Sequence, residues 1–186
     1  LSTADYGYWQ LFLLYTTYGG ILHFGFLDGI LVRWAGKEFE EIKQEVPTAF
    51  RFLLLEQFLV VGVLALVLIA VDPPFLEIGL AVLANAIIVN ILTLFIFTAQ
   101  AVKRFKLVTA VNISKGALFL LLVIGLFAGG RFGYGDLYIA TIVTGSILVI
   151  LFAVHLRDSL FSQVDPGKSL RKYGKENISI GLFVLL

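Results

Sequence analysis

Ionisable and amide side chains lie inside the long apolar stretches of this sequence, and they are the residues whose types suit chemistry. The ionisable ones are His23, Asp28, Glu56 and Lys115. The amide-bearing ones are Asn85, Asn90, Gln100 and Asn112. An ionisable group at the centre of a membrane helix costs about 2.5–3.5 kcal/mol on insertion scales, so such groups usually face protein or water. These residues are therefore the candidates for binding a polar solute or an ion.

Lys115 is the strongest candidate for a binding residue. It follows Leu107 by eight residues, roughly 12 Å along a helix, which is far for its ammonium to reach back to the lipid headgroups. Asn112 and Phe119 precede and follow it at helical spacing and share its face. We expect this face to contact an anionic group in a water-filled cavity. The alternative is an ion pair with Glu56 or Asp28 that serves packing alone.

The other polar residues in the apolar stretches have less specific spacing. Asn85 and Asn90 are expected to hydrogen-bond between helices, and we place them with Asn112 and Lys115 as candidate substrate contacts. On a continuous helix His23 and Asp28 would point about 140° apart and form no single-face pair. In a second interpretation, Asp28 reaches the inner membrane interface or pairs with Arg33. Glu56 is expected just below the inner interface.

Catalysis and metal binding have no support in the sequence. The chain contains no cysteine, which excludes disulfides, thiolate metal sites and cysteine nucleophiles in this stretch. It contains no metal-ligand cluster, no phosphate-binding loop of the Walker type and no Ser/His/Asp grouping. We therefore predict no catalytic residues, no metal and no cofactor.

Long apolar blocks must position these polar residues. The blocks cover residues 11–32, 52–71, 78–102, 107–130 and 137–156, with a further run over 178–186. Each complete block has about 20 residues or more, enough to cross a hydrocarbon core roughly 30 Å thick. The hydrophobic fraction of 59% exceeds the average of soluble domains. The sequence predicts an all-α polytopic membrane protein with five complete transmembrane helices and the start of a sixth.

Basic residues alternate between the gaps that separate these blocks. All of the Lys and Arg residues except Arg131 and Lys115 lie in the segments 33–51, 103–106 and 157–177. The positive-inside rule makes these segments cytoplasmic. The net charge of +1 argues against a nucleic-acid partner, because the basic residues flank apolar spans and form no broad patch.

Three shorter patterns concern loops and packing. Phe39, Ile42 and Val46 recur at helical spacing among charged residues, which predicts either a short helix on the inner membrane surface or a solvated loop. Gly25 and Gly29 have the GxxxG spacing that is typical of closely packed membrane helices. Pro73-Pro74 predicts a tight outer turn, and residues 165–167 predict a turn in the long segment 157–177.

Two parts of the sequence resemble a known family. The stretches 5–12 (DYGYWQLF), 18–29 (YGGILHFGFLDG) and 33–38 (RWAGKE) resemble the second helix and following loop of polysaccharide flippases. These are the Wzx-type O-antigen transporters of the multidrug/oligosaccharidyl-lipid/polysaccharide superfamily, related to MATE exporters. Residues 177–182 (NISIGL) are similar to the start of that family's seventh helix.

The resemblance implies a fragment of the MATE-like flippase fold. It divides the chain into an N-terminal helical bundle over 1–156, a cytoplasmic connector over 157–177 and the start of a second bundle over 178–186. The start at Leu1 without Met and the end inside an apolar run agree with an internal piece of a longer protein. The family's first helix would then precede Leu1.

The implied function is transport of a lipid-linked oligosaccharide of the O-antigen or capsule type across the bacterial plasma membrane by alternating access. Lys115 and Asn112 would bind its diphosphate, and His23, Asp28 or Glu56 would couple transport to an ion gradient. The implied partners are a glycan polymerase and glycosyltransferases, besides the lipid bilayer. Two alternatives stay open: a MATE-like exporter of small molecules, and an integral membrane enzyme of glycan assembly.

Overall fold

The computed structural model describes residues 2–130, 133–160 and 169–185, and all the regular secondary structure in them is helical. The helices are α1 (Thr3–Tyr18), a 3₁₀ helix (Gly19–His23), α2 (Phe26–Trp34), α3 (Phe39–Ile42), α4 (Val46–Val71), α5 (Leu76–Ala101), α6 (Phe105–Ala128), α7 (Tyr134–His155), α8 (Arg157–Leu160) and α9 (Leu170–Leu185). Arg131 and the turn predicted at 165–167 lie outside the described residues.

Four of these helices, α4 to α7, are long and apolar enough to cross a membrane. They correspond to four of the predicted apolar blocks, and the connections between them are short. Asp72 ends α4 in the left-handed region, at φ 47°, and Pro73 follows it, so the chain turns at once into α5. Consecutive long helices are therefore antiparallel neighbours, as expected for a polytopic membrane protein.

The outer faces of these helices are apolar. Large hydrophobic side chains of α4, α6 and α7 are more than half exposed, among them Leu59, Leu66, Leu121, Phe127 and Val154. An apolar surface of this extent is unfavourable in water and suits a lipid environment. The exposure pattern and the helix lengths agree with a membrane protein.

α5 is the central helix of the bundle. It contacts α1, α2, α4, α6 and α7, and many of its side chains are buried, including Leu94 and Phe95. Phe95 stacks between Phe50 of α4 and Phe152 of α7, with ring centroids 6.0 and 5.4 Å apart. Aromatic pairs at these separations add to the packing of the core. α5 is therefore the packing partner that these five helices share.

The segment over 11–32 is interrupted, and our expectation of one continuous helix there is wrong. α1 ends at Tyr18, a 3₁₀ helix covers Gly19–His23, and Phe24 and Gly25 are both left-handed, at φ 47° and 79°. Glycine adopts such a conformation freely, whereas it is rare for phenylalanine. The two left-handed residues redirect the chain. α1 and α2 both contact α5, but α1 also packs against α7, whereas α2 also packs against α9.

Two amide side chains bond to backbone carbonyl groups of the 3₁₀ helix at the interruption. Gln57 Nε2 of α4 donates to the Leu22 carbonyl at 3.1 Å, and Asn90 Nδ2 of α5 donates to the Gly19 carbonyl at 3.3 Å. Asn90 Nδ2 also donates to Gln57 Oε1 at 2.8 Å. Because unpaired backbone groups are costly in apolar surroundings, this network stabilises the interruption. The predicted interhelical bonding is confirmed for Asn90.

α2 packs closely and antiparallel against α9. A Cβ at Gly29 would lie 2.7 Å from the Asn177 carbonyl carbon, and one at Gly181 would lie 2.6 Å from the Gly25 carbonyl carbon. Such separations leave no space for a side chain, so the two backbones are in direct contact. The prediction that Gly25 and Gly29 serve close packing is confirmed, and α9 is the partner helix.

Arg33, Lys172 and Lys175 lie at the same end of the bundle, and we call this end the basic end. Glu45, at the start of α4, accepts hydrogen bonds from Trp34 Nε1 at 3.1 Å and from the Tyr173 hydroxyl at 3.3 Å. It also pairs with Arg33 Nε at 3.1 Å, and Arg33 Nη1 lies 3.5 Å from Glu176. Burial raises the pKa of the Tyr173 phenol, and the Glu45 carboxylate raises it further, so Tyr173 stays a neutral donor.

The short helix predicted around Phe39 exists as α3, but its apolar side faces the protein. Ile42 and Val46 are fully buried in the main core, and Phe39 packs against that core and under the Arg104 guanidinium at 5.2 Å. The expectation that this helix lies with its apolar side on the membrane surface is therefore wrong. α9 also begins at Leu170, well before the expected start at Ile178.

Replacement of Gly29 by alanine tests the contact between α2 and α9. The new Cβ would overlap the Asn177 backbone, so we expect Gly29→Ala to lower the free energy of unfolding by about 1–3 kcal/mol. Gly62→Ala is the matched control, because nothing lies within 4 Å of a Cβ at Gly62 of α4. Thermal unfolding of the detergent-purified chain measures both variants. Equal stability of the two would contradict the close packing.

Candidate functional site

A cavity of about 600 Å³ lies between α1, α5, α6 and α7. Each of these helices contributes side chains to its lining, and the polar ones are Thr16, Thr17, Asn85, Asn112, Lys115, Thr141 and Thr144. The volume is within the range of small-molecule sites. α1 can form one wall because the chain is interrupted after Tyr18, whereas α2 packs elsewhere.

Lys115 is the one charged residue among the described side chains that line this cavity. It lies ten residues after the start of α6 at Phe105, about 15 Å along the helix. Its side chain is exposed, and within the described part of the chain it forms no ion pair. The alternative in which Lys115 pairs with Glu56 or Asp28 is therefore wrong. The ammonium is free to interact with an anion.

Amide and hydroxyl groups surround Lys115. Asn112 lies one turn earlier on the same face of α6, and Asn85 faces the cavity from α5. Thr144 of α7 is almost fully buried, and its Oγ1 has no hydrogen-bond partner among the described residues. Most buried hydroxyl groups are paired, so an unpaired one at a cavity is available to a ligand. Thr141, by contrast, donates to its own helix at the Leu137 carbonyl, at 2.9 Å.

Two aromatic rings, those of Trp9 and Phe119, line the cavity together with aliphatic side chains. Trp9 of α1 stacks on Phe119 of α6, with ring centroids 6.1 Å apart and planes inclined by 9°. Trp9 also stacks on Phe12 and Tyr138, at 5.5 and 6.2 Å. These rings join three helices and present apolar faces beside the polar groups. The cavity therefore combines a cation, unpaired polar groups and an aromatic surface.

Three of the four predicted substrate contacts meet in this cavity. Asn85, Asn112 and Lys115 line it, whereas Asn90 is buried beside the interruption and is bonded to Gly19 and Gln57. The reason is that Asn90 is used to satisfy a backbone carbonyl. Asn85 makes no side-chain hydrogen bond among the described residues, so its predicted interhelical bond is wrong.

The residues predicted to couple transport to ions lie outside this cavity. His23 Nδ1 and Asp28 Oδ2 are 3.9 Å apart, so our expectation that they point in different directions is wrong. The left-handed residues Phe24 and Gly25 between them change the direction of the chain, which a continuous helix does not do. Asp28 also does not pair with Arg33, which pairs with Glu45 and Glu176.

Glu56 is separate from that pair. Both of its carboxyl oxygens are buried without a hydrogen-bond partner among the described residues. A charged carboxylate without partners is costly in apolar surroundings. Glu56 lies on the turn of α4 that also positions Gln57, and it contributes nothing to the lining of the cavity.

Two residues that the sequence did not single out contribute to the site. Thr144 carries a hydroxyl without a hydrogen-bond partner among the described residues, and Trp9 supplies a ring that stacks on Phe119. A threonine in an apolar helix ordinarily bonds to its own backbone, as Thr141 does, so nothing in the sequence separates Thr144 from it.

Comparisons with protein-family models, with curated proteins and with solved structures found no match for this chain. Within the described residues the regular structure is helical, and four helices are long and apolar enough to span a membrane. The most distinctive site is the largely apolar cavity that Lys115 and several amide and hydroxyl side chains line. Function is therefore argued from the chemistry of that cavity.

Replacement of Asn90 tests how much the network at the interruption stabilises the fold. Asn90→Ala removes two buried hydrogen bonds, to the Gly19 carbonyl and to Gln57 Oε1, so we expect a loss of about 1–2 kcal/mol in the free energy of unfolding. Asn85→Ala is the matched control on the same helix, because Asn85 has no such bonds. Unfolding with increasing denaturing detergent gives both values, and an equal loss in the two variants would contradict the network.

Proposed function

We propose that this chain is part of a membrane flippase that moves a lipid-linked oligosaccharide of the O-antigen or capsule type across a bacterial plasma membrane. The proposal combines the family resemblance of residues 5–12, 18–29, 33–38 and 177–182 with the chemistry of the cavity. The observation that carries it is the position of Lys115, a cation without an ion-pair partner among the described residues, in a cavity of about 600 Å³ within the bundle.

The groups in the cavity suit the parts of such a substrate. The Lys115 ammonium would form charge-assisted hydrogen bonds with a phosphate oxygen, and the Asn112 and Asn85 amides would donate to neighbouring oxygens. The Thr144 hydroxyl, which is unpaired within the described part of the chain, would bond to a sugar hydroxyl. The Trp9 and Phe119 rings would contact the apolar face of a sugar ring. The site holds its substrate without breaking a covalent bond, as translocation requires.

Alternating access would open this cavity first to the basic end and then to the opposite side. Interrupted helices beside a binding site are typical of transporters that work in this way. The segments 33–51, 103–106 and 157–177 would face the cytoplasm, where the lipid-linked substrate is made. If transport is coupled to an ion gradient, the pair His23–Asp28 and the buried carboxyl of Glu56 are the groups that would titrate.

The alternatives fit the cavity less well. A MATE-like exporter of small cations needs an acidic site, whereas the charged residue in this cavity is Lys115. An integral membrane enzyme of glycan assembly needs catalytic side chains, usually on external loops. The connection between α4 and α5 covers only 72–75, and no group of His, Asp and Glu that could hold a metal occurs among the described residues.

Lys115 variants test the proposed function. In a strain that lacks its flippase, we expect the full-length protein with Lys115→Ala to restore no surface polysaccharide, because the phosphate would lose the one cationic partner that the described residues place in the cavity. Lys115→Arg keeps the charge but changes the donor geometry, and we expect partial export. Lys106→Ala is the control, since Lys106 lies at the start of α6 and does not line the cavity.

The readouts are the amount of surface polysaccharide and, separately, the amount of each variant in the membrane fraction. The result that would contradict the role of Lys115 is normal export by Lys115→Ala at normal membrane levels. Loss of export in Lys106→Ala to the same degree would show that the effect is a general consequence of removing positive charge from α6.

A further inference from the structure

We propose that a second cavity, between α2 and α9 at the basic end, binds the phosphate headgroup of an anionic membrane lipid. This cavity has a volume of about 570 Å³ and is lined by Arg33, Lys172, Lys175, Glu176, Ser179 and Ile180. It shares no residue with the Lys115 cavity, which α1, α5, α6 and α7 form. The inference is therefore independent of the proposed function.

The α9 side of this cavity is a single stripe of polar residues. Lys172, Lys175, Glu176 and Ser179 follow one another at helical spacing, so they lie on one face of α9. Both lysines are exposed, and neither has an ion-pair partner within the described part of the chain. Two unpaired ammonium groups one turn apart, with the Ser179 hydroxyl as a further donor, suit an anion with several oxygens.

Arg33 contributes a guanidinium that is held in place on the opposite side. Its Nε lies 3.1 Å from Glu45, its Nη1 lies 3.5 Å from Glu176, and its Cζ lies 5.1 Å from the centre of the Tyr173 ring. An arginine fixed in this way loses little conformational freedom when it binds a phosphate.

The surroundings of the cavity favour a lipid over a free phosphate ion. Beyond Ser179, the exposed side chains of α9 are apolar: Leu182, Phe183 and Val184 are 47%, 85% and 55% exposed. Phe183 follows Ser179 by one helical turn and lies on nearly the same face. A lipid with its phosphate between Lys172, Lys175 and Arg33 would therefore place an acyl chain along this apolar part of α9.

The basic end is also where anionic lipids would be found if the positive-inside rule holds for this chain. Basic pockets between membrane helices on the cytoplasmic side attract phosphate headgroups. The start of α9 is thus basic and its end is apolar, which matches the charged headgroup and the apolar acyl chains of a phospholipid.

Native mass spectrometry of the purified full chain tests this site. The probes are phosphatidylglycerol, phosphatidylcholine and inorganic phosphate, each added at equal concentration. We expect the chain to retain phosphatidylglycerol at least fivefold more than phosphatidylcholine. Lys172→Ala/Lys175→Ala should lose this preference, whereas Lys172→Arg/Lys175→Arg should keep it. Lys37→Ala/Lys106→Ala is the control, because it removes the same charge from the basic end without changing this cavity.

Two results would overturn the proposal. One is an equal loss of phosphatidylglycerol in Lys37→Ala/Lys106→Ala, which would show that only general charge attraction is involved. The other is binding of inorganic phosphate without any preference for phosphatidylglycerol, which would make the site one for a free anion. Circular dichroism of each variant confirms that it has kept its helices.

Discussion

The interruption between α1 and α2 is the feature on which the rest of the arrangement depends. Breaking a helix in apolar surroundings leaves backbone carbonyl groups that must find donors. Gln57 and Asn90 supply them to Leu22 and Gly19, and they bond to each other as well. α4 and α5 are distant in sequence from the interruption. These hydrogen bonds fix both helices to it through specific side chains and not through apolar contact alone.

The interruption also lets the two halves of the segment over 11–32 pack in different places. α1 packs against α5 and α7 and forms a wall of the Lys115 cavity, whereas α2 packs against α9 through Gly25 and Gly29. At the basic end, Glu45 connects α2, α4 and α9 through Trp34, Arg33 and Tyr173. A straight helix over 11–32 could not make both sets of contacts. The cavity and the α2–α9 pair are thus consequences of the same local change in the backbone.

Hydropathy predicted α4 to α7 because their length and apolar content are local properties of the sequence. The depth of Lys115 and its shared face with Asn112 were also predictable, since both follow from helical spacing. The interruption was not, because residues 11–32 remain apolar across it and its donors lie 35 and 71 residues away. The sequence also did not predict that His23 and Asp28 are close together, because their proximity depends on the interruption. Nor did it predict the different roles of Asn85 and Asn90, because these depend on contacts with helices distant in sequence.

Water accessibility of Lys115 tests the central claim most directly. The chain contains no cysteine, so one introduced cysteine is its only thiol. A membrane-impermeant maleimide reacts with the thiolate, which forms in water and not in lipid. The account predicts labelling of Lys115→Cys in membranes and no labelling of Ile113→Cys, which lies at a similar depth, is 67% exposed and does not line the cavity. Equal labelling of the two, or no labelling of Lys115→Cys, would contradict a water-filled cavity around Lys115.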